Sequence, residues 1–109
     1  MKQHTALLTD DAQADLQELV DYIAGHDAPA KADAVLGKLE ALVASLSNFP
    51  ERGRVTEELR DVGIRDYREV YFKPYRVIYR VMDGKVFVYL IVDGRRDMQT
   101  LLTQRLLRA

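Results

Sequence analysis

Tyr75-Arg76-Val77-Ile78-Tyr79-Arg80-Val81-Met82-Asp83-Gly84-Lys85-Val86-Phe87-Val88-Tyr89-Leu90-Ile91-Val92 is the stretch on which the fold turns. Val, Ile, Tyr and Phe crowd both sides of Asp83-Gly84, a dipeptide that tolerates the positive φ angles of a two-residue hairpin turn. With that turn in place, Val81 pairs with Val86, Tyr79 with Val88, Val77 with Leu90 and Tyr75 with Val92 on one face, which becomes the core. The other face pairs Met82 with Lys85, Arg80 with Phe87, Ile78 with Tyr89 and Arg76 with Ile91.

Just upstream, Tyr67 to Phe72 has the same period of two and predicts a third strand. If Lys73-Pro74 is a tight link, Tyr71, Glu69 and Tyr67 join the second face opposite Arg76, Ile78 and Arg80, although Pro is unfavourable at the second position of an ordinary turn. Residues 50–66 lack a sustained period, with Glu58-Leu59-Arg60 expected to pair briefly with the sheet. Further upstream the period becomes helical. Ala12, Leu16, Leu19, Val20 and Ile23 form one stripe, with Asp10 as the expected N-cap, and Gly25-His26-Asp27 ends that helix. Asp27 is expected to cap a second helix, with Pro29 in its first turn and Ala32, Val35, Leu39, Leu42, Val43 and Leu46 as its stripe, ending at Asn48-Phe49-Pro50. Thr5-Ala6-Leu7-Leu8 reads as a short first strand. Asp97 is positioned to cap a final short helix whose Leu101, Leu102, Leu106 and Leu107 pack inward. The expected architecture is α+β: an N-terminal helical hairpin on a small antiparallel β-sheet, with a short C-terminal helix.

A chain of 109 residues with 48% hydrophobic and 30% charged side chains fits a single domain, residues 1–109. It contains no cysteine, which removes disulfides, thiolate nucleophiles and Cys-rich zinc sites and suits a reducing cytoplasm. No apolar run approaches the roughly 18 residues of a membrane span, and the N-terminus runs into Asp10 and Asp11 rather than a secretory apolar segment. A soluble intracellular protein is expected. His4 and His26 have no nearby ligand or nucleophile partner and carry no metal-ligand spacing. Ser45 and Ser47 lack a catalytic context, the glycines form no phosphate-binding fingerprint, and neither a metal nor a cofactor is indicated.

The overall charge of −1 conceals an asymmetry. Residues 1–51 hold three basic and nine acidic side chains, a net −6, and residues 52–109 hold 13 basic and eight acidic, a net +5. Eleven of those 13 are Arg, whose planar fork suits phosphate or carboxylate. The second half is therefore where an anionic partner belongs. Its expected surface carries Arg76, Arg80, Glu69, Tyr67, Tyr71 and Tyr89, with Arg95 and Arg96 beyond the last strand. Cations interleaved with aromatics suit nucleic acid or the acidic and aromatic groups of a protein partner. The plainer alternative is a solvated outer face with Arg–Glu pairs worth well under about 1 kcal/mol each.

The order of elements, with Phe49-Pro50-Glu51-Arg52-Gly53-Arg54, the Tyr75–Val81 string and Val92-Asp93-Gly94-Arg95-Arg96-Asp97, resembles the RelE/ParE superfamily of toxins from type II toxin–antitoxin, or plasmid-stabilisation, modules. The resemblance covers essentially the whole chain, with Asp93 standing where many relatives have His. It implies a toxin held inactive by a cognate antitoxin in a hetero-oligomer. That antitoxin would lay an amphipathic helix or extended tail over the hairpin, at Leu16, Val20, Ile23, Val35, Leu39 and Leu42, and an acidic tail would complement the basic half.

The superfamily divides by target. RelE-like members cut mRNA on the ribosome with basic side chains, an Arg in the YR-x-x-Y strand, another Arg after the last strand, and a C-terminal Tyr or His; ParE-like members lack much of this set and poison DNA gyrase. Arg76 matches the strand arginine, Arg96 the later one, and Arg68 falls close to a strand lysine. Leu102 stands where the RelE-like branch has Tyr, and neither Tyr nor His follows Tyr89. Hydroxyl attack on phosphate needs a base, and Glu69, the available candidate, is weakened by its flanking arginines. The resemblance thus implies a ParE-like, gyrase-inhibiting binding protein contacting its target through Arg76, Arg80, Arg95, Arg96, Tyr67, Tyr71 and Tyr89. The alternative is an mRNA endoribonuclease using Arg76, Arg96, Arg68 and Glu69.

Overall fold

The computed structural model describes residues 4–107; residues 1–3 and 108–109, assigned above to the same domain, lie outside the described residues. The chain runs β1 (Thr5–Leu8), α1 (Asp10–His26), α2 (Pro29–Ser45), β2 (Arg54–Val55), α3 (Glu57–Arg60), β3 (Tyr67–Phe72), β4 (Tyr75–Met82), β5 (Lys85–Asp93) and α4 (Met98–Leu102), which continues as a π-helical turn over Thr103–Leu107. The five strands form one sheet in the order β1-β5-β4-β3-β2. β1 pairs with β5 in parallel and the remaining neighbours are antiparallel. The sheet is therefore mixed rather than wholly antiparallel, because β1 meets a partner some 80 residues downstream and no local signal reports the direction of that pairing.

The hairpin forms as its turn chemistry requires: Asp83 and Gly84 take φ of 52° and 73°. From the turn the pairs Val81↔Val86 and Tyr79↔Val88 hold, and then the register slips, giving Ile78↔Leu90, Val77↔Ile91, Arg76↔Val92 and Tyr75↔Asp93. This replaces the four pairs expected beyond Val88. The bulge leaves Tyr89 without a direct partner and turns Ile91 into the inner core while Leu90 and Val92 join the outer face. Its backbone is satisfied from outside the sheet. Asp15 Oδ2 accepts from the Ile91 N–H at 3.1 Å and Arg105 Nη1 donates to the Tyr89 carbonyl at 2.8 Å, just past the point where β1 ends opposite Val88. Across the cis Lys73–Pro74 link, β3 and β4 pair as expected: Tyr71↔Arg76, Glu69↔Ile78 and Tyr67↔Arg80.

α1 and α2 lie on the inner face, where Ala12, Ile23, Ala32, Val35, Leu39 and Leu46 meet Val70, Val77, Tyr79, Val86, Val88 and Ile91. Thr9, not Asp10, caps α1, accepting from Ala12 N at 3.1 Å; Asp10 already sits in the first turn. Asp27 terminates α1 and pairs with Lys31 at 3.2 Å, so Ala28 takes the N-cap of α2 without a side-chain bond. α2 ends at Ser45, before Asn48-Phe49-Pro50. Glu58-Leu59-Arg60 is helical rather than extended, and the brief strand is Arg54–Val55. Acidic Glu57 and Glu58 favour a helix start, and Leu59 drops into the outer face.

That outer face is only half open. Leu59, Tyr67, Ile78, Leu90, Val92, Met98 and Leu102 form a second core beneath α3 and α4. Asp97 caps α4 through Thr100 N at 3.1 Å, and Leu101, Leu102 and Leu106 pack inward, but Leu107 is exposed. Gly53 is required by close approach. An added Cβ would lie 2.5 Å from the Glu69 carbonyl and 2.7 Å from Tyr79 Oη, to which the Gly53 N–H donates at 3.0 Å.

Candidate functional site

Register alone brings three of the candidate side chains together with Arg54. Arg76 stands opposite Tyr71, and Glu69 stands between Ile78 on β4 and Arg54 on β2. α3 then supplies Glu58 from above. Arg76 donates through Nη1 and Nη2 to the two carboxylate oxygens of Glu58 at 2.8 and 2.7 Å, a bidentate fork, and through Nη2 to Glu69 Oε1. Tyr71 Oη donates to Glu69 Oε2, and Arg54 Nη2 donates to Tyr71 Oη at 2.9 Å. The guanidinium carbons of Arg54 and Arg76 lie 5.3 and 6.0 Å from the Tyr71 ring centre. Arg76 is 7% exposed and Glu69 2%, against 39% for Tyr71.

Electrostatics follow from these contacts. The bond from Arg76 holds the Glu58 carboxyl below the ordinary carboxylate range, and the bond to Glu58 is the main cause raising Arg76 further above its usual value. Burial, then the bond to Glu69, pushes the Tyr71 phenol up. Arg76 Nε is buried without a partner among the described residues. Its aliphatic stem is covered by Gly94, where an added Cβ would lie 2.6 Å from Cδ.

The other expected contact residues are dispersed. Arg80 lies over the buried Tyr67 ring at 5.7 Å and 4.0 Å from Asp66, and Tyr67 meets Tyr89 edge-on at 5.5 Å. Arg95 turns back onto Asp93 at 2.5 Å, and Arg96 is exposed. Arg68 does not join Arg76: it donates to the Gly53 carbonyl at 2.7 Å on the opposite face. Leu102 is fully buried in the second core.

Of the residues proposed for antitoxin contact, Ile23, Val35 and Leu39 are buried and Leu16, Val20 and Leu42 half-buried, all packed between the hairpin and the sheet. Their stripe faces the core because that is what an amphipathic stripe does on a two-layer fold. The reachable feature beside them is a groove of about 860 Å³ between α1, the start of α2, the β3–β4 turn and the end of β5. Leu19, Ile23, Val35, Phe72, Tyr75 and Ile91 contribute its apolar lining. Asp15, Glu18, Asp27 and Lys31 stand on the helical side and Lys73, Asp93, Arg95 and Arg96 on the other.

Four residues of this arrangement escape a reading of the chain alone: Arg54, Glu58, Asp15 and Arg105. Arg54 and Glu58 sit in the aperiodic segment. The Asp15–Arg105 fork, at 2.8 and 2.9 Å, joins residues 90 positions apart, with no local pattern to announce it.

A mixed sheet backed by a helical hairpin, a buried arginine on its central strand and a short C-terminal helix on its outer face define a RelE/ParE-superfamily toxin of the type II toxin–antitoxin class. Residues 6–98 match the profile of the ParE toxin of the type II toxin–antitoxin system parDE, and the chain belongs to that family. It is 30% identical over 91 residues to Toxin ParE3 of Caulobacter vibrioides, covering 84% of this chain and 87% of the relative. It is 37% identical over 86 residues to Toxin RelE2 of the same organism, covering 78% and 89%. The chromosomal ParDE system of P. aeruginosa shares the fold at a TM-score of 0.71 with 20% identity, covering 85% of this chain and 98% of that one. The RelBE2 toxin–antitoxin complex of Mycobacterium tuberculosis shares it at 0.59 with 21% identity, covering 84% and 98%. No helix among the described residues is long and apolar enough to cross a membrane.

Proposed function

We propose that this toxin inhibits growth by binding a protein target, DNA gyrase, and that a cognate antitoxin neutralises it by occupying the groove between α1 and the end of β5. The observation that carries the first part is the state of Arg76. A guanidinium already forked onto Glu58, bonded to Glu69 and 7% exposed is poorly placed to hold a scissile phosphate. Leu102, buried at the position where the mRNA-cutting branch carries Tyr, supplies no proton-transfer group. Contact with the target falls to the exposed members of the arginine–tyrosine set, among them Tyr71, Arg95 and Arg96. The groove suits the antitoxin because its apolar lining is flanked by charges of both signs, so a peptide whose apolar side chains fill it can also pair with its rim. Ribosome-dependent mRNA cleavage is the second reading, favoured by the 37% identity to Toxin RelE2.

The test is to incubate antitoxin-free protein with gyrase and supercoiled plasmid, and separately with translating ribosomes and mRNA. Gyrase-dependent plasmid cleavage with intact mRNA is the expected result; ribosome-dependent mRNA cuts without DNA damage would replace it with the second reading.

A further inference from the structure

We infer that Arg54 and Tyr71 form the pair through which this toxin grips a carboxylate on its target protein, and that Arg76 is a positioning residue acting through Glu69. This deepens the gyrase reading above and rests on it.

Three observations converge on the pair. First, availability: Arg76 is committed to Glu58 and Glu69, Arg95 to Asp93 and Arg105 to Asp15, and Arg80 lies over Tyr67 near Asp66, while Arg96 is exposed but lies beyond the last strand, outside the line of bonds described next. Arg54 is exposed, and no carboxylate among the described residues lies in ion-pair range of it. Its side chain bonds a neutral phenol, so most of its fork remains for a carboxylate approaching from solvent.

Second, rigidity. A continuous line of bonds runs from α3 to the surface: Glu58 holds Arg76, Arg76 holds Glu69, Glu69 holds the Tyr71 hydroxyl, and Tyr71 holds Arg54. A long arginine side chain held in place before binding loses less conformational freedom when it binds. Third, composition and place. Tyr and Arg are enriched among the residues that dominate protein interfaces, and this pair stands at the β2–β3 end of the outer face, on the outermost two strands. The buried part of the line contributes no contact surface, which is why Arg76 is assigned a positioning role.

The experiment measures gyrase-dependent plasmid cleavage by wild type, Arg54→Glu, Arg54→Lys, Tyr71→Phe and Arg76→Lys over a range of salt, with antitoxin affinity and thermal melting recorded in parallel. Arg54→Glu is expected to raise the half-maximal toxin concentration by more than about tenfold and Tyr71→Phe by about threefold, with Arg54→Lys between. Antitoxin affinity should stay within about twofold throughout. Salt dependence should flatten in Arg54→Glu but persist in Arg76→Lys, which, assayed well below its lowered melting temperature, should still raise the half-maximal toxin concentration by about threefold. The inference is overturned if Arg54→Glu and Tyr71→Phe act like wild type, if antitoxin binding is lost in step with target action, or if Arg76→Lys also flattens the salt dependence. A wild-type protein without effect on gyrase overturns the gyrase reading in its first arm, and this inference with it, whereas an active wild type with indifferent variants overturns the inference alone.

Discussion

Arg76 keeps its charge inside the protein, and so its removal should be felt first as lost stability. Arg76→Ala leaves the carboxylate of Glu69 buried and that of Glu58 without its fork, a kind of change that costs about 3–5 kcal/mol. Urea unfolding with an unchanged slope and a lowered midpoint would show it. Glu58 adds a pH signature. Its pKa in the folded protein is below that of the unfolded chain, so its contribution is complete above the ordinary glutamate value of about 4.3 and is lost as pH falls through the lowered folded value. Glu58→Gln should therefore be less stable than wild type at neutral pH, with the gap closing on acidification, as melting curves between about pH 3 and 7 will show.

At the scale of single elements, caps and turns can be told apart by paired substitutions. Thr9 accepts from Ala12 N and Asp10 does not, so Thr9→Ala should cost about 1 kcal/mol and Asp10→Ala a few tenths, reversing what the order Thr9-Asp10-Asp11 suggests by residue preference. Equilibrium denaturation of the two variants decides between the caps. Gly84 stands at φ 73°, where Ala costs about 1 kcal/mol or more through crowding of its Cβ. Gly53 differs in kind: its backbone is not left-handed, but the space for a side chain is taken by β3 and by Tyr79, so Gly53→Ala must displace β2 from the sheet or fail to fold. Arg54, which belongs to β2, would be displaced with it.

Across the whole molecule, one arginine ties the last segment to the first helix. Arg105 forks onto Asp15, reaches Asp11 at 3.6 Å and bonds the Tyr89 carbonyl, while Asp15 also caps the Ile91 N–H. Together they take the place that a longer β1 would hold along β5. Arg105→Ala should release protection from hydrogen exchange over Thr103–Leu107 and at Ile91 while the β4–β5 ladder stays protected. In a double-mutant cycle with Asp15→Asn the two losses should not add, because one interaction is removed by either change. The amino-acid sequence by itself determined both helices, the three long strands, the hairpin at Asp83-Gly84 and the facing of Tyr67, Glu69 and Tyr71 toward Arg76 and Arg80, because each depends on a period or a turn within a few residues. Only the tertiary structure decided the parallel β1, the bulge at Tyr89, the cover over half of the outer face, and the burial of Arg76 between Glu58 and Glu69. Those features arise from groups brought together across 7 to 90 positions, where packing and the pairing of buried charge, rather than local pattern, select the arrangement.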